Sequence, residues 1–253
     1  MSRFSGLKLP WAPQAQDFRQ RVVFPWELPS IMRRHILTGA MGNVHLTLTS
    51  GIFLVVFGNN LGVTVFQWGL LGAVTSFVLA FQLVSAHWSA RAGRRKVLWF
   101  GSEFTARVLR AFSLIGAYYL YKNGHTAAAP FALLGLMSVS SVFNAFSVPP
   151  WYSWLTDIIP EKSHGAFMGR RDAWIAFATL AITLPAGYLI DRAADVEKTD
   201  VVADIFLVGI LFGFLDLILH RVIPEPPMPP DARVSFMERV RVPLQDPDFR
   251  PWL

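Results

Sequence analysis

Six stretches of about twenty predominantly apolar residues, separated by short polar segments, constrain this chain more than any other feature. They run from about Ile36 to Phe57, Thr64 to Trp88, Val97 to Leu120, Ala127 to Pro149, Ala173 to Ile190 and Val201 to Val222. Each is long enough, as a helix, to cross roughly 30 Å of hydrocarbon. A backbone in lipid has to satisfy its own polar groups, which a helix does within one segment. The predicted fold class is therefore an all-α membrane protein: a cytoplasmic N-terminal segment over 1–35, six transmembrane helices over 36–222, and a cytoplasmic linker over 223–253. The connections Gly58–Asn60, Ser89–Lys96, Tyr121–Thr126, Pro160–Asp172 and Asp191–Asp200 are short, so the bundle runs up and down.

Composition agrees. Of 253 residues, 53% are hydrophobic and 16% are charged, too few charges to coat a soluble globule, for which about 25% is typical. The absence of Cys excludes disulfides, thiolate metal sites and Cys nucleophiles. The first 35 residues lack the apolar core of a cleavable signal peptide, so span 1 is expected to act as an uncleaved insertion signal. Ser30 is the expected cap of a short amphipathic helix ahead of it. The formal charge of +6 would suggest nucleic acid in a soluble protein, but its distribution argues otherwise. Of the 23 Lys and Arg, 18 lie in the two terminal segments and in the loops after spans 2 and 4. The opposite loops hold only Lys122, Arg192 and Lys198, and Arg107 and Arg110 lie inside span 3. Basic residues stay on the cytoplasmic side, which places both termini there and makes a bacterial inner membrane the expected location, with lipid and not nucleic acid as the surrounding partner.

The loop after span 2 reads Ala86–His87–Trp88–Ser89–Ala90–Arg91–Ala92–Gly93–Arg94–Arg95–Lys96–Val97–Leu98. With the six spans and their orientation, it resembles the N-terminal six-helix half of a major facilitator superfamily transporter, whose signature here is G-x-L-x-D-R-x-G-R-R/K-x-x-L. Arg91, Gly93, Arg94, Arg95 and Leu98 match, while Ala86 and Ala90 replace the family's Gly and Asp. In the family that Asp joins a charge network at the cytoplasmic gate, so its loss implies a different way of setting the balance between states. A second stretch, Asp157 to Gly165 followed by Gly169–Arg170–Arg171, resembles the family's D-x-x-P-x-x-x-R-G-x-x-x-G segment, with His164 where Arg is usual. The resemblance implies a bundle built as a 3+3 inverted repeat and a cytoplasmic gating motif formed by Arg91, Gly93, Arg94, Arg95, Asp157, Gly165, Gly169, Arg170 and Arg171. Gly93 and Gly169 are both expected to make tight turns at helix entrances.

Ionisable groups at bilayer depth are expensive and mark functional candidates. Glu103, Arg107 and Arg110 in span 3 share one face at i, i+4, i+7 spacing, and Glu103 can neutralise one Arg. The remaining charge requires a carboxylate from another helix, a polar cavity or an anionic ligand. A structural lock on span 3 is the plain alternative to contact with a solute or ion. Span 1 carries Asn43, Thr47 and Ser50 on one stripe and His45 with Thr49 on roughly the opposite side; span 4 carries Ser140, Asn144 and Ser147 on one stripe. The two sets on span 1 cannot both face one cavity; because the family's helices 1 and 4 face a central cavity, the Asn43–Thr47–Ser50 and Ser140–Asn144–Ser147 stripes become pathway candidates, with His45 a candidate proton carrier. Close helix packing is the alternative. Asp216 and Asp157 are shallow enough to pair with loop arginines. Gly209 and Gly213 form a G-x-x-x-G in span 6, and the tail should form a short helix from Ser235 to about Val242.

The function implied is secondary active transport of a small solute by alternating access, with or without a coupling proton or ion, and without a cofactor or a metal. The chain is expected to be the first half of the transporter, its tail leading to the start of a missing helix 7 and its missing partner being a C-terminal six-helix half. A six-span intramembrane enzyme is disfavoured: no G-x-S-G nucleophile site, metal cluster or phosphate-cradling loop occurs in the sequence. A non-transporting scaffold or sensor on the same fold is a third reading.

Overall fold

Helices form wherever the six apolar stretches occur. The structure, a computed structural model, describes residues 19–228 and 235–246. The first span comprises α1 (Leu28–Thr49) and α2 (Gly51–Asn60), broken where Ser50 is extended and Gly51 takes φ +56°. The second comprises α3 (Val65–Phe77) and α4 (Phe81–Ala92), joined by a 3-10 turn at Val78–Ala80. Then follow α5 (Arg95–Lys122), α6 (Ala128–Ile158), α7 (Glu161–Arg192) and α8 (Lys198–His220). A short α9 (Phe236–Gln245) occupies the tail, its entrance marked by the Glu238 N–H donating to the Ser235 hydroxyl at 3.2 Å. Thr64 and Gln67 cap α3 reciprocally, and Gly93, in the left-handed region at φ 60°, ends α4.

Of the six helical segments, five are long and apolar enough to cross a membrane. The sixth, α5, has 28 residues and turns Glu103, Arg107 and Arg110 inward, where each is buried. The outer faces expose Phe66, Phe77, Phe131, Phe177 and Leu184, which is how an apolar chain meets lipid.

The packing follows a symmetric scheme. The first span packs on α7 and α8, α6 packs on the second span and on α5, and α5 and α8 pack on each other. Exchanging spans 1, 2 and 3 with spans 4, 5 and 6 leaves this pattern unchanged. Because an odd number of crossings separates the triplets, they have opposite directions, as in an inverted repeat. Two apolar cores result, one around Leu48, Phe57, Leu114, Leu133 and Phe206 and one around Ile31, Trp99, Trp154, Phe167 and Leu217.

Several boundaries differ from the sequence expectations. Among the described residues only a 3-10 turn at Pro25–Glu27 precedes span 1: α1 is continuous from Leu28, and Ser30 donates to the Glu27 carbonyl within its first turn instead of capping a separate helix. Pro149–Pro150 does not end span 4, because α6 continues to Ile158. The segment Pro160–Asp172 is not a loop but the polar start of α7, so Gly165, Gly169, Arg170 and Arg171 are helical and Gly169 makes no turn. Hydropathy locates where lipid begins, whereas a helix can extend well past that plane.

A charged cavity between helices 1, 5, 6, 7 and 8

A cavity of about 480 Å³ lies among α1, α5, α6, α7 and α8. Its walls include Gly39, Gly42, Asn43 and His45 from α1, Trp99, Glu103, Arg107 and Arg110 from α5, Asn144, Ser147, Trp151 and Tyr152 from α6, Arg171, Asp172 and Ile175 from α7, and Asp216 and His220 from α8.

The α5 charges form its centre. Arg107 Nε donates to Glu103 Oε2 at 3.2 Å, as the i, i+4 spacing predicts, and its Nη2 donates to Asp216 Oδ2 at 2.5 Å. Arg107 also donates to the Gly213 carbonyl. Asp216 of α8 is therefore the partner of an arginine on α5 and is buried, where the sequence suggested pairing with a loop arginine. Its other oxygen accepts from His220 Nδ1 at 2.7 Å. Glu103 Oε1 accepts from Ser147 at 2.5 Å and Asn144 at 3.1 Å. One connected set of polar groups thus joins α5, α6 and α8. Arg110 donates to the Thr49 hydroxyl at 3.2 Å.

Close approach of the helices depends on glycine. A Cβ on Gly42 would stand 2.9 Å from Asp216 Oδ2, and one on Gly213 would stand 2.6 Å from His45 Nδ1. The G-x-x-x-G of α8 therefore receives α1. His45 Nδ1 lies 2.9 Å from the Gly209 carbonyl, to which it donates. Asn43 donates to Thr179 of α7 at 2.5 Å and to Thr47 at 3.4 Å. Thr47 and Ser50 do not line the cavity; Ser50 donates to the Leu46 carbonyl. Ser140 is fully buried and does not line the cavity; it donates to the Ala106 carbonyl at 2.8 Å, tying α6 to α5.

The motif residues lie at one end of the bundle, called here the basic end. Gly93 provides the turn, and Arg91, Arg94 and Arg170 are exposed. Arg95 is 1% exposed: it pairs with Asp157 and donates to the Ser153 carbonyl at 2.9 Å and the Pro226 carbonyl at 3.1 Å. Lys96 Nζ donates to the carbonyls of Arg221 at 2.6 Å and Ile223 at 2.8 Å, at the C-terminal end of α8. Glu225 accepts from the backbone N–H of Arg95 at 2.6 Å and of Lys96 at 3.1 Å. A carboxylate on the N-terminus of α5 satisfies orphan donors and complements the helix dipole. Where the family's loop carries Asp, this chain has Ala90, and the carboxylate comes from the segment after α8. Arg171 stands apart from this lock, its guanidinium stacked 4.8 Å from the Trp151 ring and wedged against Gly39 of α1.

Trp99, Trp151, Tyr152, Asp172, His220 and Glu225 escaped sequence reasoning. Gly39 and Gly42, at i, i+3 on α1, were a usable signal for close approach; nothing in the local sequence marks Glu225. Among the described residues, no group of three or more His, Asp or Glu side chains is arranged to hold a metal ion.

Comparison with curated proteins and with solved structures returns no match in either. The family model of the Major Facilitator Superfamily matches residues 36–252, nearly the whole chain, and this chain belongs to that superfamily of membrane transporters.

Proposed function

We propose that this protein moves a small solute across a bacterial cytoplasmic membrane by alternating access, with the basic end of the bundle in the cytoplasm. The observation that carries the reading is the cavity: buried ionisable groups at bilayer depth, costly in any merely structural span, surround about 480 Å³ of space inside an apolar bundle. In the superfamily's architecture the solute path runs between two six-helix units. This bundle supplies one wall, with Asn43, His45, Glu103, Arg107, Arg110, Asn144 and Ser147 facing the path, and a second six-helix unit supplies the other. The contacts of Arg95, Lys96, Asp157 and Glu225 hold the basic end closed in one of the alternating states.

Reconstitution tests this. A thermal-shift screen of the purified chain selects a solute, and uptake of that solute is measured in sealed liposomes. Uptake by the chain together with a second six-helix unit, and none by the chain alone, is expected. Uptake by the chain alone would refute the need for a second unit, and no uptake in either arm would refute the transport reading.

A further inference from the structure

We infer that the cavity takes an organic anion with a carboxylate-like head on an apolar or aromatic body, and that Arg110 is its anchor. This names the substrate class for the pathway proposed above and rests on that reading. Hydrogen-bonding capacity around the cavity is unevenly used. Both oxygens of Glu103 are engaged, by Arg107, Asn144 and Ser147, and both oxygens of Asp216 are engaged, by Arg107 and His220. Arg107 is held by two carboxylates and a carbonyl. Arg110 differs. It is 8% exposed and lines the cavity, and its one hydrogen bond among the described residues goes to the Thr49 hydroxyl. A guanidinium has five N–H donors in a rigid fork, so most of its capacity is unused.

The four buried charges of Glu103, Asp216, Arg107 and Arg110 sum to zero, so Arg110 is balanced at a distance. Distant balance does not satisfy N–H groups, and those of Arg110 that Thr49 leaves free open onto the cavity, where water or a ligand has to receive them. The missing partner is an acceptor with two oxygens in a plane, which is what a carboxylate offers to a guanidinium. A cationic ligand beside Arg110 would instead meet Glu103 and Asp216, which are already occupied; the open carboxylate of the lining, Asp172, stands beside Arg171. The body of the ligand is indicated by the remaining walls, where Trp99, Trp151, Tyr152 and Ile175 supply aromatic and apolar surface. Arg171 completes the arrangement. It lies against Gly39, ten residues along α1 from Thr49, hence about 15 Å nearer the basic end. Its Nε has no partner and its closest carboxylate, Asp172, is 3.4 Å away and exposed. An anion entering from that end meets Arg171 first and Arg110 last.

Three near-isosteres whose heads differ in charge and in hydrogen-bond donors and acceptors test the inference: benzoate, benzamide and benzamidinium, titrated calorimetrically into the full chain in detergent. Benzoate should bind saturably with a dissociation constant below about 10 mM and at least about tenfold more tightly than benzamide, while benzamidinium should not bind. Arg110→Gln should weaken benzoate binding about 10- to 100-fold, and Arg110→Lys, which keeps the charge but loses the fork, should fall between. Preference for benzamidinium, equal binding of all three, or no saturable benzoate binding up to about 50 mM would overturn the proposal. The comparison of the three ligands uses the unaltered chain, so a folding defect in a variant does not obscure the outcome. Benzoate binding without uptake in the liposome assay would count against the transport reading and leave the anion site standing; uptake of other solutes without benzoate binding would do the reverse.

Discussion

Arg107 is held by two carboxylates, and the geometry ranks them. At an effective dielectric of about 20, attraction across the closest atoms is about 6–7 kcal/mol for Asp216 at 2.5 Å and about 5 kcal/mol for Glu103 at 3.2 Å. Desolvation cancels part of each, and breaking a buried pair by removing one member costs about 3–5 kcal/mol. Arg107→Gln strands both carboxylates and should be the most damaging change, at about 4 kcal/mol or more. Asp216→Asn leaves Arg107 with its longer partner and should cost about 3 kcal/mol. Glu103→Gln should cost only about 1–2 kcal/mol, because the side-chain carbonyl still accepts from Ser147 and Asn144 and the Asp216 contact survives. The double change Arg107→Gln with Asp216→Asn should fall short of the summed single losses by about 2–3 kcal/mol. The assay is equilibrium unfolding of the purified chain in mixed micelles, read by Trp fluorescence; the Trp99 ring lies 4.4 Å from the His220 ring, tilted by 45°, next to this network. A larger loss from Glu103→Gln than from Asp216→Asn, or strict additivity in the double variant, would refute the ranking.

Two further outcomes are expected. The chain contains no native Cys, so single Cys at Asn123, between α5 and α6, and at Ser163, at the start of α7, should react with an impermeant maleimide from opposite sides of the membrane; reaction from the same side would overturn the topology. Glu225→Leu should leave the first two N–H groups of α5 without their acceptor and lower stability in the same unfolding assay by about 1–3 kcal/mol, whereas a variant as stable as the parent would show that Glu225 does not secure the basic end.

What the sequence disclosed depended on how far apart the partners lie. The Glu103–Arg107 pair follows from helical spacing alone, and so does the alignment of Asn144 with Ser147 toward one neighbour. The spans were legible because lipid demands long apolar runs. The Arg107–Asp216 pair was not, since 109 residues separate them and the depth of Asp216, judged from the end of its apolar run, suggested a surface position. The polar first third of α7 reads as a loop because its charges say where water is, not whether the backbone is helical. Ser140 shares the Asn144 stripe but meets a backbone carbonyl one helix over, a distinction that only packing makes.

The contact between Glu225 and the start of α5 also sets an order of events during synthesis. The acceptor lies 130 residues after Arg95, so at about 5–20 residues per second it is made roughly 7 to 26 seconds after the donors that it satisfies. Through that interval the first amides of α5 lack the Glu225 acceptor, and Lys96 lacks the carbonyls after α8 that later receive it. The contact that secures the basic end therefore forms only after α8 and the segment that follows it have been made.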